Sequence, residues 1–439
     1  MRTRVAAIVL VTTACAAVLI AQAQAPAPPA LAASPGACLT AARAYRQALM
    51  KDLQARLKES GRPVAAEDVA GVNARAADYA SACAAPFAKT DVAPADVPAL
   101  AELQVEAQQL DAAKQTIARA LAAPGSDAAA KATTLTTGVR ILARQIRQPG
   151  VLDQAEAWVA DLEKLPGSFV RERIEAHGVL NSYYRADDID AGIIRHSTRL
   201  LELNAALPAE QRTPQISNTI IAAYSNLAEA WAGQEETAKA LDLLRRAPVE
   251  LKGVEGVAER LAPTIERYEL VGKAAPAIQA PAWLNAPEGT TSLEMTGSVT
   301  WLQFTAHWCG PCREAYPAAV RLQQKFGATG FRVVMATQLY GYFENRRNLA
   351  PADEMAAIRE YFPKHGIIWP VAVSDNLPPG MDNGRPVRTL TVNDANYKVA
   401  GIPQIHLIDR AGVIRLIMIG FDEANEPRLS AMIQRLLGQ

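Results

Sequence analysis

The stretch Trp308-Cys309-Gly310-Pro311-Cys312 constrains this chain more than any other. Two cysteines separated by two residues follow an apolar run, Val299 to Phe304, that reads as a buried strand. They open a segment with helical periodicity. A helix begins with backbone N–H groups that lack partners and with a partial positive charge. A cysteine placed there is biased toward thiolate, which is the nucleophilic form. A second cysteine one turn later can attack a mixed disulfide and release the partner. Gly310 lets the backbone pass tightly, and Pro311 needs no N–H donor in the first turn. The candidate catalytic residues are therefore Cys309 and Cys312, supported by Trp308, Gly310 and Pro311. A CxxC pair can also be purely structural, but a strand before it and a helix after it favour a reversible disulfide.

These residues resemble the thioredoxin superfamily and, within it, the exported TlpA/ResA-like thiol–disulfide oxidoreductases. The resemblance runs from about Gly272 to the end of the chain. Besides the cysteine pair, it rests on Pro317, where such proteins kink the active-site helix, and on Tyr397-Lys398-Val399-Ala400-Gly401-Ile402-Pro403 before an apolar strand at 404–408. That loop is similar to the family's cis-proline loop, which faces the disulfide and hydrogen-bonds extended substrate backbone. The resemblance implies a cis bond between Ile402 and Pro403. From sequence alone Pro403 reads equally as an ordinary trans turn proline, because most X–Pro bonds are trans. It also implies an α/β thioredoxin-like domain at 289–439, disulfide-containing exported proteins as partners, and a membrane thiol reductase as electron donor. No G-x-G-x-x-G follows a strand, so no cofactor site is expected. The Gly-Pro pair between the cysteines resembles reducing thioredoxins more than oxidising DsbA-type proteins.

The sequence departs from these relatives where a proton must leave Cys312. Gln303 stands where thioredoxins carry a buried acid, and Ala315 stands where ResA-like proteins carry a glutamate. Glu314 is adjacent but lies about 100° away around the helix. His307, two residues before Cys309, is either a substitute proton acceptor or a solvated loop residue.

The remainder bounds the setting. A chain of 439 residues suggests two or three domains. Its 45 acidic and 45 basic residues cancel, and no basic stripe points to nucleic acid. Residues 1–25 read as a signal peptide: Arg2 and Arg4 precede an apolar run at 5–20, then small residues suited to cleavage near Ala23 or Ala25. An uncleaved anchor and lipidation at Cys15 are the alternatives. The location implied is periplasmic or otherwise extracytoplasmic. A Pro/Ala linker at 26–37 follows.

Residues 38–270 are expected to be all-helical. Leu39, Ala42, Tyr45, Leu49, Leu53 and Leu57 recur on one face, as do Val69, Val72, Ala76, Tyr79 and Cys83 on the next helix. An antiparallel hairpin of these two brings Cys38 beside Cys83, and a structural disulfide is expected there; two buried free thiols are the alternative. Helix ends punctuated by Pro124, Pro166, Pro208 and Pro248 recur at a period near 40 residues. Tyr224, Leu227, Ala228, Trp231, Ala240, Leu244 and Ala247 resemble a tetratricopeptide repeat, which implies a protein partner for the array. A Pro/Ala-rich linker is expected at 271–288.

The five histidines show no metal-ligand spacing, so no metal site is expected. The fold class is multidomain: a helical-hairpin array, then a thioredoxin-like domain. The function expected is an exported enzyme that reduces protein disulfides. A redox-sensing adaptor without turnover, and a disulfide oxidase or isomerase, are the alternatives.

Overall fold

The structure is a computed structural model, and it describes residues 26–61, 64–88, 92–124, 127–378, 380–382, 385–387 and 389–438. The expected signal peptide at 1–25 lies outside the described residues. The chain divides into two compact units, 1–126 and 127–439.

The first unit contains α1 (Pro35–Ser60), α2 (Ala66–Ala84), α3 (Val97–Glu106) and α4 (Leu110–Ala122). Ser34 caps α1 by accepting from the Ala37 N–H at 3.3 Å, and Pro35 takes the first turn. Gly61 ends the helix in the left-handed region that a glycine adopts without cost. The apolar stripe of α1 is buried against Val72, Ala76, Tyr79 and Cys83 of α2 and against Leu100 and Leu103 of α3. The hairpin places Cys38 beside Cys83, but both are free buried thiols rather than the expected disulfide. The Cys38 thiol instead faces two carbonyls, Ala32 O at 3.4 Å and Cys83 O at 3.9 Å. Burial pushes the Cys38 thiol up to about 11, with Cys83 adding to the rise.

The second unit begins with α5 (Ala128–Leu142), α6 (Val151–Glu163), α7 (Val170–Ala186), α8 (Asp190–Ala206), α9 (Pro214–Gly233), α10 (Thr237–Glu250) and α11 (Val257–Tyr268). The prolines at 124, 166 and 208 lie just beyond helix ends, whereas Pro248 is inside the last turn of α10. Tyr224, Leu227, Ala228, Ala240, Leu244 and Ala247 are all buried where α9 packs on α10.

A polar seam crosses α6, α7 and α8. His177 and His196 meet through their Nδ1 atoms at 2.8 Å, and their Nε2 atoms meet Glu163 at 3.0 Å and Glu156 at 3.1 Å. A hydrogen bond between two Nδ1 atoms needs one of them protonated and the other bare. Tyr184 stacks on His196 and donates to Glu156. Its ring lies over Gly192, where an added Cβ would stand 2.2 Å from ring carbons. Gly192→Ala is expected to destabilise the protein by roughly 1–3 kcal/mol through overpacking, despite alanine's better helix propensity. Urea unfolding checks this, and a variant as stable as the parent would show that the seam yields freely.

The strands follow: β1 (Ile278–Gln279), β2 (Ala282–Leu284), β3 (Ser292–Leu293) and β4 (Val299–Phe304). Next come α12 (Gly310–Phe326), β5 (Phe331–Gln338), β6 (Tyr342–Phe343), β7 (Arg346–Arg347), α13 (Pro351–Lys364) and β8 (Val371–Ser374). Then β9 (Gly380–Asp382), β10 (Arg385–Val387), α14 (Val392–Asn396), β11 (Gln404–Ile408), β12 (Ile414–Ile419) and α15 (Glu426–Leu437) complete the chain. The main sheet has the order β12-β11-β4-β5-β8-β2, with β4, β5 and β8 parallel and β11, β12 and β2 antiparallel to their neighbours. The segment expected as a linker at 271–288 supplies its edge strand: Trp283 and Leu284 pair with Ala372 and Val371.

Both faces of this sheet are covered, as the unbroken burial of β4 requires. Val299, Trp301, Val333, Met335 and Leu407 face α12, α13 and α15. Leu302, Phe304, Val334, Ala336 and Ile417 face the other way, into one core with residues of α7 to α11, among them Tyr224, Leu261 and Tyr268. The helical segment and the sheet therefore share a hydrophobic core across the expected domain boundary. Among the described residues, no helix is long and apolar enough to cross a membrane.

Candidate thiol–disulfide site

β4 runs straight into the site, and its register fixes what lies beside it. Phe304 pairs with Gln404, so the Tyr397–Pro403 loop arrives next to the segment that carries the cysteines. Cys309 is the N-cap of α12, with Pro311 in the first turn. Its Sγ accepts from the Cys312 N–H at 3.1 Å, using one of the donors that a helix start leaves free. Cys309 and Cys312 are joined as a disulfide. Ile402 O lies 3.7 Å from the Cys309 sulfur, and the Ile402–Pro403 bond is cis. Cys312 is fully buried, whereas Cys309 keeps 4% of its surface and sits beside Trp308, 46% exposed. Of the two sulfur-bearing residues, Cys309 is therefore the one nearer the surface.

The environment of the second sulfur holds no carboxyl at either familiar position. Gln303 is fully buried, accepts from Trp301 Nε1 at 3.2 Å, and donates to Cys312 O at 3.4 Å. Ala315 is buried and Glu314 is exposed.

Of the two things the position of His307 suggested, the structure excludes one. It is buried, so it is not a solvated loop residue. Its ring stacks on Phe343 at 4.7 Å and meets the edges of Tyr340 and Tyr342, so it is occupied by the β6–β7 hairpin. Burial holds its imidazole below the ordinary value. Its Nε2 lies 4.0 Å from Oε1 of Glu354, a fully buried carboxylate that sequence reading missed. The two Glu354 oxygens accept the Tyr340 and Gly341 N–H groups at 2.7 Å each. No local signal marks Glu354: it stands in the first turn of α13, where an acidic residue is ordinary. Together His307 and Glu354 tie the loop before Cys309 to an aromatic rim of Trp308, Tyr340 and Tyr342.

The proline loop is held from below by its own strand. Gln404 accepts from the Ala400 N–H at 3.1 Å and donates to Tyr397 O at 3.0 Å. His406 continues this packing; it is fully buried, and burial first and Arg267 second bring it down to about 3. It is a neutral core residue. The Tyr397 hydroxyl donates to Pro276 O, which ties the loop to the segment before β1.

No family model matches the sequence, and no curated protein matches it. Solved structures similar to it include a proposed thiol:disulfide interchange protein DsbE from Chlorobium tepidum, at 27% identity over 38% of this chain and 98% of that one, with a TM-score of 0.28. A thioredoxin-like superfamily protein is similar at 26% identity over 38% of this chain and 97% of that one, with a TM-score of 0.29. StoA from Bacillus subtilis is similar at 18% identity over 36% of this chain and 99% of that one, with a TM-score of 0.24. The strand–CxxC–helix geometry and the proline loop beside the sulfur are features of this chain itself. They place a disulfide at a helix N-terminus beside a cis-proline loop, an arrangement suited to thiol–disulfide exchange.

Proposed function

We propose that this chain is an exported thiol–disulfide oxidoreductase that reduces disulfides in protein clients. The observation that carries the reading is Cys309 at the N-cap of α12, its sulfur on the Cys312 N–H and bonded to the Cys312 sulfur. In the reduced protein the Cys309 thiolate attacks one sulfur of a client disulfide. A Cys309–client disulfide forms and the other client sulfur leaves as thiolate. Cys312 thiolate then attacks the Cys309 sulfur, closes the internal disulfide and expels the second client thiolate. Two electrons pass to the client and two protons come from solvent. Another dithiol, read as a membrane thiol reductase, returns the electrons. The N-terminal sequence supports export, and the helical hairpins, read as tetratricopeptide-like, engage a protein partner.

Redox titration of the Cys309–Cys312 couple against glutathione or dithiothreitol tests the direction. A potential near the thioredoxin value of about −270 mV supports a reductase. A potential near about −120 mV makes the protein an oxidant and reverses the electron flow.

A further inference from the structure

One chain of alternating charges runs through the helical half of the second unit. Asp188, just after α7, pairs with Arg185. Arg185 pairs with Glu229 of α9 at 2.8 Å, and Glu229 pairs with Arg267 of α11 at 3.3 Å. Arg267 is only 3% exposed. Both ends of this chain leave the helices and meet backbone beside Pro403. At one end Arg267 Nε donates to Lys398 O at 3.2 Å, within the proline loop. Lys398 has a positive φ of 51°, unusual for a residue with a side chain. At the other end the Asp188 carboxylate lies against the Gly420–Phe421 backbone, and the Phe421 N–H favours its charged form. The neighbouring Gly420 N–H donates to Pro403 O at 2.8 Å. Gly420 has φ of 82°, and a Cβ there would lie 1.9 Å from an Asp188 oxygen, so the helices sit directly on the backbone behind the proline. Lys398 Nζ adds an outer tie to Glu266 at 2.9 Å.

We propose that the chain Asp188–Arg185–Glu229–Arg267 positions the Tyr397–Pro403 loop for client binding, so that α7 to α11 form part of the redox site rather than a separable recognition module. The inference rests on the thiol–disulfide reading above. The loop borders the reacting sulfur, with Ile402 O 3.7 Å from Cys309 Sγ, so a client disulfide engaging Cys309 brings its backbone against the loop. A loop clamped at Lys398 and behind Pro403 presents its backbone groups without first being ordered, and a client then avoids that entropic cost. Arg267 touches neither sulfur nor client. It is a positioning residue.

The test separates clients that use the loop from reagents that need only the sulfur. Insulin is the protein disulfide, and 5,5′-dithiobis(2-nitrobenzoic acid) is the small one. Full-length Arg267→Gln, Arg267→Lys and Asp188→Asn are compared with the parent, with Arg171→Gln as a control that removes an exposed pair on α7. Arg267→Gln is expected to lower kcat/KM for insulin by roughly tenfold to a hundredfold, the size of one hydrogen bond to a charged group. The loss falls mainly on KM, while the small disulfide reacts within twofold of the parent rate. Arg267→Lys keeps a charge beside Glu229 but loses the planar fork that grips the carbonyl, and it is expected to show most of the same loss. Should Arg267→Gln not fold, Arg267→Lys and Asp188→Asn carry the same comparison. Unchanged insulin kinetics in folded variants overturn the inference. So does an equal loss with both reagents, which would mean general damage. A parent protein that reduces neither reagent overturns the exchange reading, and this inference with it.

Discussion

Replacing Cys309 by serine is expected to bring insulin reduction down to the rate of dithiothreitol alone, while Cys312→Ser stalls the protein as a trapped mixed disulfide. The asymmetry follows from access and placement. Cys309 sits at the start of α12, on the free N–H groups of its first turn, beside exposed Trp308. That setting stabilises a thiolate and leaves it reachable. A serine hydroxyl there stays protonated and does not attack a disulfide. Cys312 is fully buried one turn on and can act only on a sulfur already delivered to Cys309. With Cys312 removed, the first attack still occurs and the second does not. Non-reducing electrophoresis after incubation with a disulfide client should therefore show a covalent adduct with Cys312→Ser and none with Cys309→Ser. The reverse pattern would exchange the two roles.

What sequence made legible is what local pattern alone decides. β4 reads as a mostly apolar run because it is buried on both faces. The helical face of α1 follows from its period, since every expected apolar position is buried. The apolar run of β4 also implied that both sheet faces are covered, but not by what. Nothing local tells Leu302 and Phe304 that their partners are α7 to α11. The same limit hid the edge strand β2. Its surroundings are rich in Pro and Ala and read as a linker, while Trp283 and Leu284 were the signal of pairing. His307 and Glu354 meet only because β5 and its hairpin fold back over the active-site loop. Cys38 and Cys83 were brought together by periodicity, but the choice between thiol and disulfide is made by a local geometry that periodicity does not contain.

Removing Glu163 is expected to cost more than any other single change in the polar seam. Its carboxylate holds three cationic or donor groups at once: Arg199 at 2.8 Å, His177 at 3.0 Å and Arg173 at 3.2 Å. Arg173 is buried, so Glu163→Ala leaves a guanidinium in the interior without its counter-charge. Breaking such a pair costs about 3–5 kcal/mol when fully buried, and the partial exposure of Glu163 trims this to roughly 2–4 kcal/mol. The acid side of the stability profile gives a second reading. Burial tends to raise the Glu163 carboxyl, but hydrogen bonds from His177 and Arg199 outweigh it and bring it down to about 2. Glu156 is brought to about 2 in the same way, burial opposed by His196 and Tyr184. Carboxyls with lowered folded values stabilise fully above their ordinary value of 4.5, and that contribution is lost as pH falls toward 2. Burial holds His196 below 6.5, so its charging in the unfolded chain adds to the loss on acidification. Asp188 works the other way: burial pushes it up to about 6, and acidification between there and 3.8 relieves the cost of its charge. The parent unfolding midpoint should therefore change little near pH 5 and drop steeply from pH 4.5 downward. Glu163→Ala should start lower and fall less steeply over that range, because one of the seam's two depressed carboxyls is gone, while Asp187 and Asp409, held low elsewhere, act alike in both proteins. Two curves of equal slope would show that Glu163 is not held ionised by this seam.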